Sequence, residues 1–237
     1  MNKLALTTIL ALAAAAPAMA DTVEMKYTGS GDGRQVRMTL NGNNSSVFAG
    51  QLNFELKNGT GLAAGLNGNQ VFYCGDLSEN VSSSFNVYTL VGAAQINDNT
   101  AMGAAKATVL ESLYAYSNGV QATTNSDDYA CAFQLLVWEI ITDYNAGVGF
   151  SSLNMTSGNF QARKTDGNAL WSGVANQIST FISHLSTSDS SGIALMGLTN
   201  GSRQDQLVPM ITQVPTAGTA SLTALGLVAM NTRRRRK

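Results

Sequence analysis

Asp127-Asp128-Tyr129-Ala130-Cys131-Ala132-Phe133-Gln134-Leu135-Leu136-Val137-Trp138-Glu139-Ile140-Ile141-Thr142-Asp143-Tyr144 is the stretch on which the fold class turns. Tyr129, Phe133, Leu136, Val137, Ile140 and Tyr144 fall at helical spacing, and the two aspartates stand where the positive end of a helix favours acids. A helix also precedes it: Ala104, Ala107, Leu110, Leu113 and Tyr114 share a face between a cap at Asn99-Thr100 and a stop at Asn118-Gly119. A third, about Gly167 to Leu185, carries Leu170, Trp171, Val174, Ile178, Phe181 and Ile182. Upstream the period is two. Val23 to Tyr27, Val36 to Leu40 and Phe48 to Leu56 alternate apolar and polar residues between Gly/Asn clusters, Gln70 to Tyr73 is a short strand after another such cluster, and Val81 to Ile96 reads as one or two more strands. Gly29 to Gly33 reads as a hairpin turn, Ser186 to Ser191 as a loop, and Val208 to Thr212 as a closing strand. The expected fold is α+β: an antiparallel sandwich or barrel-like sheet with strands over about 22–96, about three helices inserted over 101–186, and a last strand over 206–212.

The ends differ in kind from this body. Lys3, the apolar run Leu4 to Ala16 and Ala18-Met19-Ala20 before Asp21 form the pattern of a secretory signal peptide, cleaved after Ala20. At the other end, Val214-Pro215-Thr216, a weakly apolar run from Ala217 to Met230, and Arg233, Arg234, Arg235, Arg236 and Lys237 resemble a PEP-CTERM sorting signal. The resemblance implies an exosortase-type processing enzyme, transient membrane contact through residues 214–237, and display at the cell surface or in an extracellular matrix. The positive-inside rule would keep the arginines cytoplasmic.

Charge follows the same division. The chain has 14 basic and 15 acidic residues, but six of the basic ones lie in the two end segments, so residues 21–213 carry eight against 15, a net −7. Such a body lacks the basic surface that displaces counterions from nucleic acid, and no nucleic-acid partner is expected.

Few side chains offer chemistry. The lone histidine, His184, sits in the last turn of the third helix, a position favoured by the helix dipole. One His and two Cys give no recognisable zinc spacing, and neither metal nor cofactor is expected. Asp127/Asp128 and Asp76/Glu79 are acid pairs that nothing in the sequence places face to face. Two cysteines remain. In a secreted chain the default is a disulfide, Cys74 to Cys131, in a non-covalent surface, matrix or carbohydrate-binding protein. Yet Cys74 lies in Phe72-Tyr73-Cys74-Gly75-Asp76, and Gln134 and Trp138 are neighbours one helical turn apart within an apolar stripe.

The aromatic-Cys dipeptide Tyr73-Cys74, with the helical segment Phe133-Gln134-Leu135-Leu136-Val137-Trp138, resembles the thioester domains of bacterial surface adhesins. The resemblance implies a thioester between the Cys74 sulfur and the Gln134 side-chain carbonyl, shielded by Phe72, Tyr73, Phe133, Val137 and Trp138. It also implies single-use covalent attachment to an amine-bearing surface or matrix ligand, without enzymatic turnover. Cys131-Ala132-Phe133-Gln134 has the Cys-x-x-Gln spacing of complement-type thioesters, which keeps Cys131 as the alternative cysteine.

Overall fold

The computed structural model describes residues 20–96, 101–117, 126–185 and 193–211. The signal and sorting segments, the Asn99-Thr100 cap, the Asn118-Gly119 stop and the Ser186–Ser191 loop lie outside them.

The fold is α+β, as the change of period implies. Strands β1 (Thr22–Leu40), β2 (Asn43–Lys57), β3 (Gly68–Cys74) and β4 (Asn86–Gly92) come first, then helices α1 (Ala104–Tyr116) and α2 (Asp127–Asp143). Strand β5 (Phe160–Lys164), helix α3 (Ser172–Leu185) and strands β6 (Ile193–Asn200) and β7 (Arg203–Ile211) follow. All strand pairings are antiparallel, and β1–β2–β3–β7–β6–β4 closes on itself through a β4–β1 ladder. β5 sits on the same edge of β1 as β4 but at its other end, pairing Val36–Leu40.

The ring is unevenly closed. β1 and β2 pair along almost their whole length, from Glu24↔Lys57 to Leu40↔Asn43, around the Asn41-Gly42 turn, whose φ values of 49° and 82° suit a tight hairpin. β3 and β7 meet only at Tyr73↔Leu207 and Cys74↔Gln206. This two-rung seam is where Cys74 lies.

Several expectations need correction. Gly29 to Gly33 is no hairpin: β1 runs straight through it with register irregularities at Tyr27/Gly29 and Ser30/Gly33. Gly33 faces Gly50, and a Cβ on Gly33 would lie 2.5 Å from the Ala49 carbonyl oxygen, so the glycines allow two backbones to approach closely. β5 interrupts the region expected to be helical, and α3 starts at Ser172 because Asp166-Gly167 forms the turn that leaves β5. β6 was unforeseen, and β7 begins at Arg203, earlier than expected, because the two form a hairpin around Asn200–Arg203.

Helix α2 organises the core. Every residue from Ala130 to Ile141 is buried, the mark of a helix enclosed on all sides. It packs on β1, β2, β3 and β5 and against α1 and α3. Each fully enclosed Leu, Val or Phe stabilises by about 1.5–3 kcal/mol relative to exposure. Its first turn is fixed by Ser126, whose hydroxyl accepts from Tyr129 N–H, and by its two aspartates. These do more than cap: Asp127 accepts from Gly33 N–H at 3.1 Å and Asp128 from Arg34 Nε at 2.6 Å, tying α2 to the glycine-rich part of β1.

Candidate functional site

A helix enclosed on all sides must satisfy any polar side chain it carries from within the protein. In its buried stretch α2 carries Gln134 and Glu139, and also the indole N–H of Trp138.

Gln134 meets the end of β3. Its Oε1 accepts from Cys74 N–H at 2.8 Å, and its Nε2 donates to the Cys74 carbonyl at 3.0 Å. The β2–β3 ladder ends at Leu52↔Phe72, so two residues further on the amide takes both main-chain groups of Cys74 as a strand would. The residues that the sequence singled out 60 positions apart are thus held together by a bidentate, fully buried contact, each 1% exposed.

The flanking residues divide. Tyr73 packs on Phe133 at a tilt with ring centroids 4.5 Å apart, and Phe133 also meets Tyr114 edge-on at 5.0 Å. Phe72 packs instead on Phe54, at 5.8 Å. Val137 is buried in the core, and Trp138 lies against Phe160 at 6.1 Å.

The sulfur is turned back on the loop that follows β3. The thiol donates to the Asp76 carbonyl, and Asp76 N–H approaches Sγ at 3.3 Å. Burial pushes the Cys74 thiol far above its ordinary range; the Asp76 main chain and the Trp138 indole oppose this in part, while the Asp76 and Asp205 charges add to it. The resting group is a neutral thiol. On one side it borders a cavity of about 470 Å³ whose lining includes Met38, Asp76, Ser78, Glu79, Trp138 and Gln204. The acid pair Asp76/Glu79, which sequence spacing left unplaced, therefore shares a cavity with Cys74. Asp76 is buried, and its Oδ1 accepts from both the N–H and the hydroxyl of Ser78 at 2.7 Å.

Cys131 stands apart. The Cys74–Cys131 disulfide is not present: both thiols are free and buried. Cys131 lies nearly one turn before Gln134 in an unbroken helix, in the neighbourhood of Arg34, Asp127 and Asp128, and burial raises its thiol to about 12. The same unbroken helix disfavours a ring between Cys131 and Gln134, whose amide is already committed to Cys74.

Glu139 was not singled out in the sequence. It is fully buried; one carboxylate oxygen accepts from Asn154 N–H at 2.6 Å and the other has no partner. Burial raises its carboxyl to about 7, against the Asn154 hydrogen bond and with a smaller push from Asp143. The signal was there: an acid in an otherwise apolar run. His184 stacks on Tyr116 at 4.1 Å and its Nδ1 contacts the Thr180 carbonyl at 2.8 Å, an arrangement that serves packing of α3.

Comparison with protein-family models, with curated proteins and with solved structures finds no match.

Proposed function

We propose that the protein is a secreted, surface-displayed thioester domain, in which Cys74 and Gln134 form an internal thioester that couples covalently to an amine on a surface or matrix partner. The observation that carries this reading is the bidentate contact between the Gln134 amide and the Cys74 main chain. The contact fixes the electrophile beside the residue that bears the nucleophile and supplies the effective concentration the reaction needs.

The chemistry follows from those atoms. The Cys74 N–H already donates to the Gln134 oxygen, so it can hold the charge that develops there when sulfur adds to Cδ. The thiol rotates from the Asp76 carbonyl toward Cδ, the S–C bond forms, and the amide nitrogen departs as ammonia with the thiol proton. An amine entering from the 470 Å³ cavity then adds to Cδ, the S–C bond breaks, and sulfur recovers a proton from that amine. The products are an amide on the Gln134 side chain and a free Cys74 thiol. Burial of both residues keeps competing water away from the bond.

The signal and sorting patterns at the two ends support export, exosortase-type processing and display at the surface, where extracellular amines are met. Intact mass of the mature protein tests the reading. One ammonia lost, together with a methylamine adduct on incubation, is the expected result. An unmodified mass with no adduct would overturn it in favour of a non-covalent surface or matrix protein.

A further inference from the structure

Trp138 presents an N–H that the packing of the core does not explain. Its side chain is 3% exposed, yet Nε1 is buried without an oxygen or nitrogen acceptor. Leaving such a donor unpaired costs about 1–3 kcal/mol, and a phenylalanine would fill most of the same space without that cost. The indole lines the same cavity as Cys74, and it acts on the thiol as a donor would, lowering it against the larger effect of burial. A second N–H, that of Asp76, approaches the same sulfur at 3.3 Å. The sulfur therefore has two N–H groups near it, one from the backbone and one from a side chain that has nothing else to bind.

We infer that Trp138 is a catalytic residue of the thioester chemistry, its indole N–H donating to the Cys74 sulfur as that sulfur becomes a thiolate. The inference rests on the thioester reading. When an amine has added to Gln134 Cδ, the S–C electron pair passes to sulfur, and expulsion is fastest when the developing charge meets donors already in place. Trp138 and Asp76 N–H provide them, and the thiolate then takes the proton released by the attacking amine. In the forward sense the same donors hold the sulfur ionised while it adds to Gln134. A weak contact to the neutral thiol and a strong one to the thiolate is the differential interaction that lowers a barrier.

The test uses the mature protein with Cys131→Ala, so that one thiol reports. Trp138→Phe keeps an aromatic ring and removes the N–H. Site-specific replacement of Trp138 by its benzothienyl isostere removes the N–H with the shape retained, and serves if the phenylalanine variant fails to fold. Two rates are read: methylamine consumption of the thioester by intact mass, and alkylation of the Cys74 thiol by iodoacetamide at pH 9 in a Gln134→Met background, which cannot form the bond. Both are expected to fall about tenfold or more, a loss in keeping with removal of one charge-stabilising donor, while circular dichroism is unchanged. Equal rates in parent and isostere overturn the inference. Absence of ammonia loss in the parent overturns the thioester reading separately, and the alkylation rate still reports whether the N–H serves the sulfur.

Discussion

Gln134 and Glu139 lie five residues apart on one buried helix, and each brings a polar group into the protein interior. Gln134 is neutral and offers both an acceptor oxygen and a donor NH2 group, and each finds a partner on the main chain of Cys74. Glu139 offers only acceptors when ionised; it finds one donor, Asn154 N–H, and leaves its second oxygen unpartnered. The amide contact is complete at any pH. The carboxylate contact is half made, and the deficit shows as a carboxyl raised to about 7. The difference separates a contact whose partners are both present from a residue whose cost depends on its proton.

The largest effect expected is at the complete contact. Gln134→Ala should abolish both ammonia loss and the methylamine adduct, and should lower stability by about 2–4 kcal/mol, because two buried main-chain groups of Cys74 lose their partners. Intact mass and urea denaturation read the two consequences. A variant that kept the adduct would show that Gln134 is not the electrophile.

Next comes Glu139. Its folded-state value of about 7 lies above the ordinary 4.5, so between those values the folded chain holds more of the proton than the unfolded chain. Stability is therefore fullest below about pH 4.5, declines as pH rises to about 7, and levels off above. The difference is about 3 kcal/mol from this residue. Glu139→Gln should flatten that component, since the amide stays neutral and can still accept from Asn154. Denaturation of both proteins at pH 5 and pH 8 measures it, and equal slopes would mean that the second oxygen has a partner in solution.

Cys131 sharpens the contrast from one turn away. Cys131→Ala should leave ammonia loss and methylamine reactivity intact and cost only about 1–2 kcal/mol of packing. Loss of the adduct in this variant would transfer the chemistry to the alternative cysteine. Smallest of all is the Arg34–Asp128 pair at the start of α2, whose side chains are 31% and 34% exposed. Arg34→Met should shift the denaturation free energy by about 1 kcal/mol or less at moderate salt, and a larger shift would show that the tie to β1 holds α2 in register.

The parts of the molecule readable from sequence are those whose periodicity is locally complete. α2 declares itself through six apolar residues on one face, and β1 and β2 through alternation around Asn41-Gly42. β5 does not, because its five residues include Arg163 and Lys164 and its strand conformation comes from pairing with β1. β6 is obscured by Gly197, a position where a Cβ would run into the Ile96 side chain, a contact no local pattern records. At the site, the Cys74 and Gln134 motifs were legible as motifs. Their bidentate geometry was not, since it depends on β2 releasing β3 at Phe72. The cavity and the placement of Asp76 and Glu79 within it needed the path of the loop after Cys74, which no spacing rule specifies.

The two-rung join between β3 and β7 has a consequence for how the domain breathes. A ring of strands opens first where the fewest hydrogen bonds hold it, and here that place is Tyr73↔Leu207 and Cys74↔Gln206 rather than the long β1–β2 ladder. Amide protons at the join should exchange with solvent well before those of β1 and β2. The Gln134 amide spans the adjoining edge of β3, so a bond at that point would act as a rivet on the least stable part of the ring. The rate of exchange at Tyr73 and Cys74 would then register, from one molecule to the next, whether the rivet is in place.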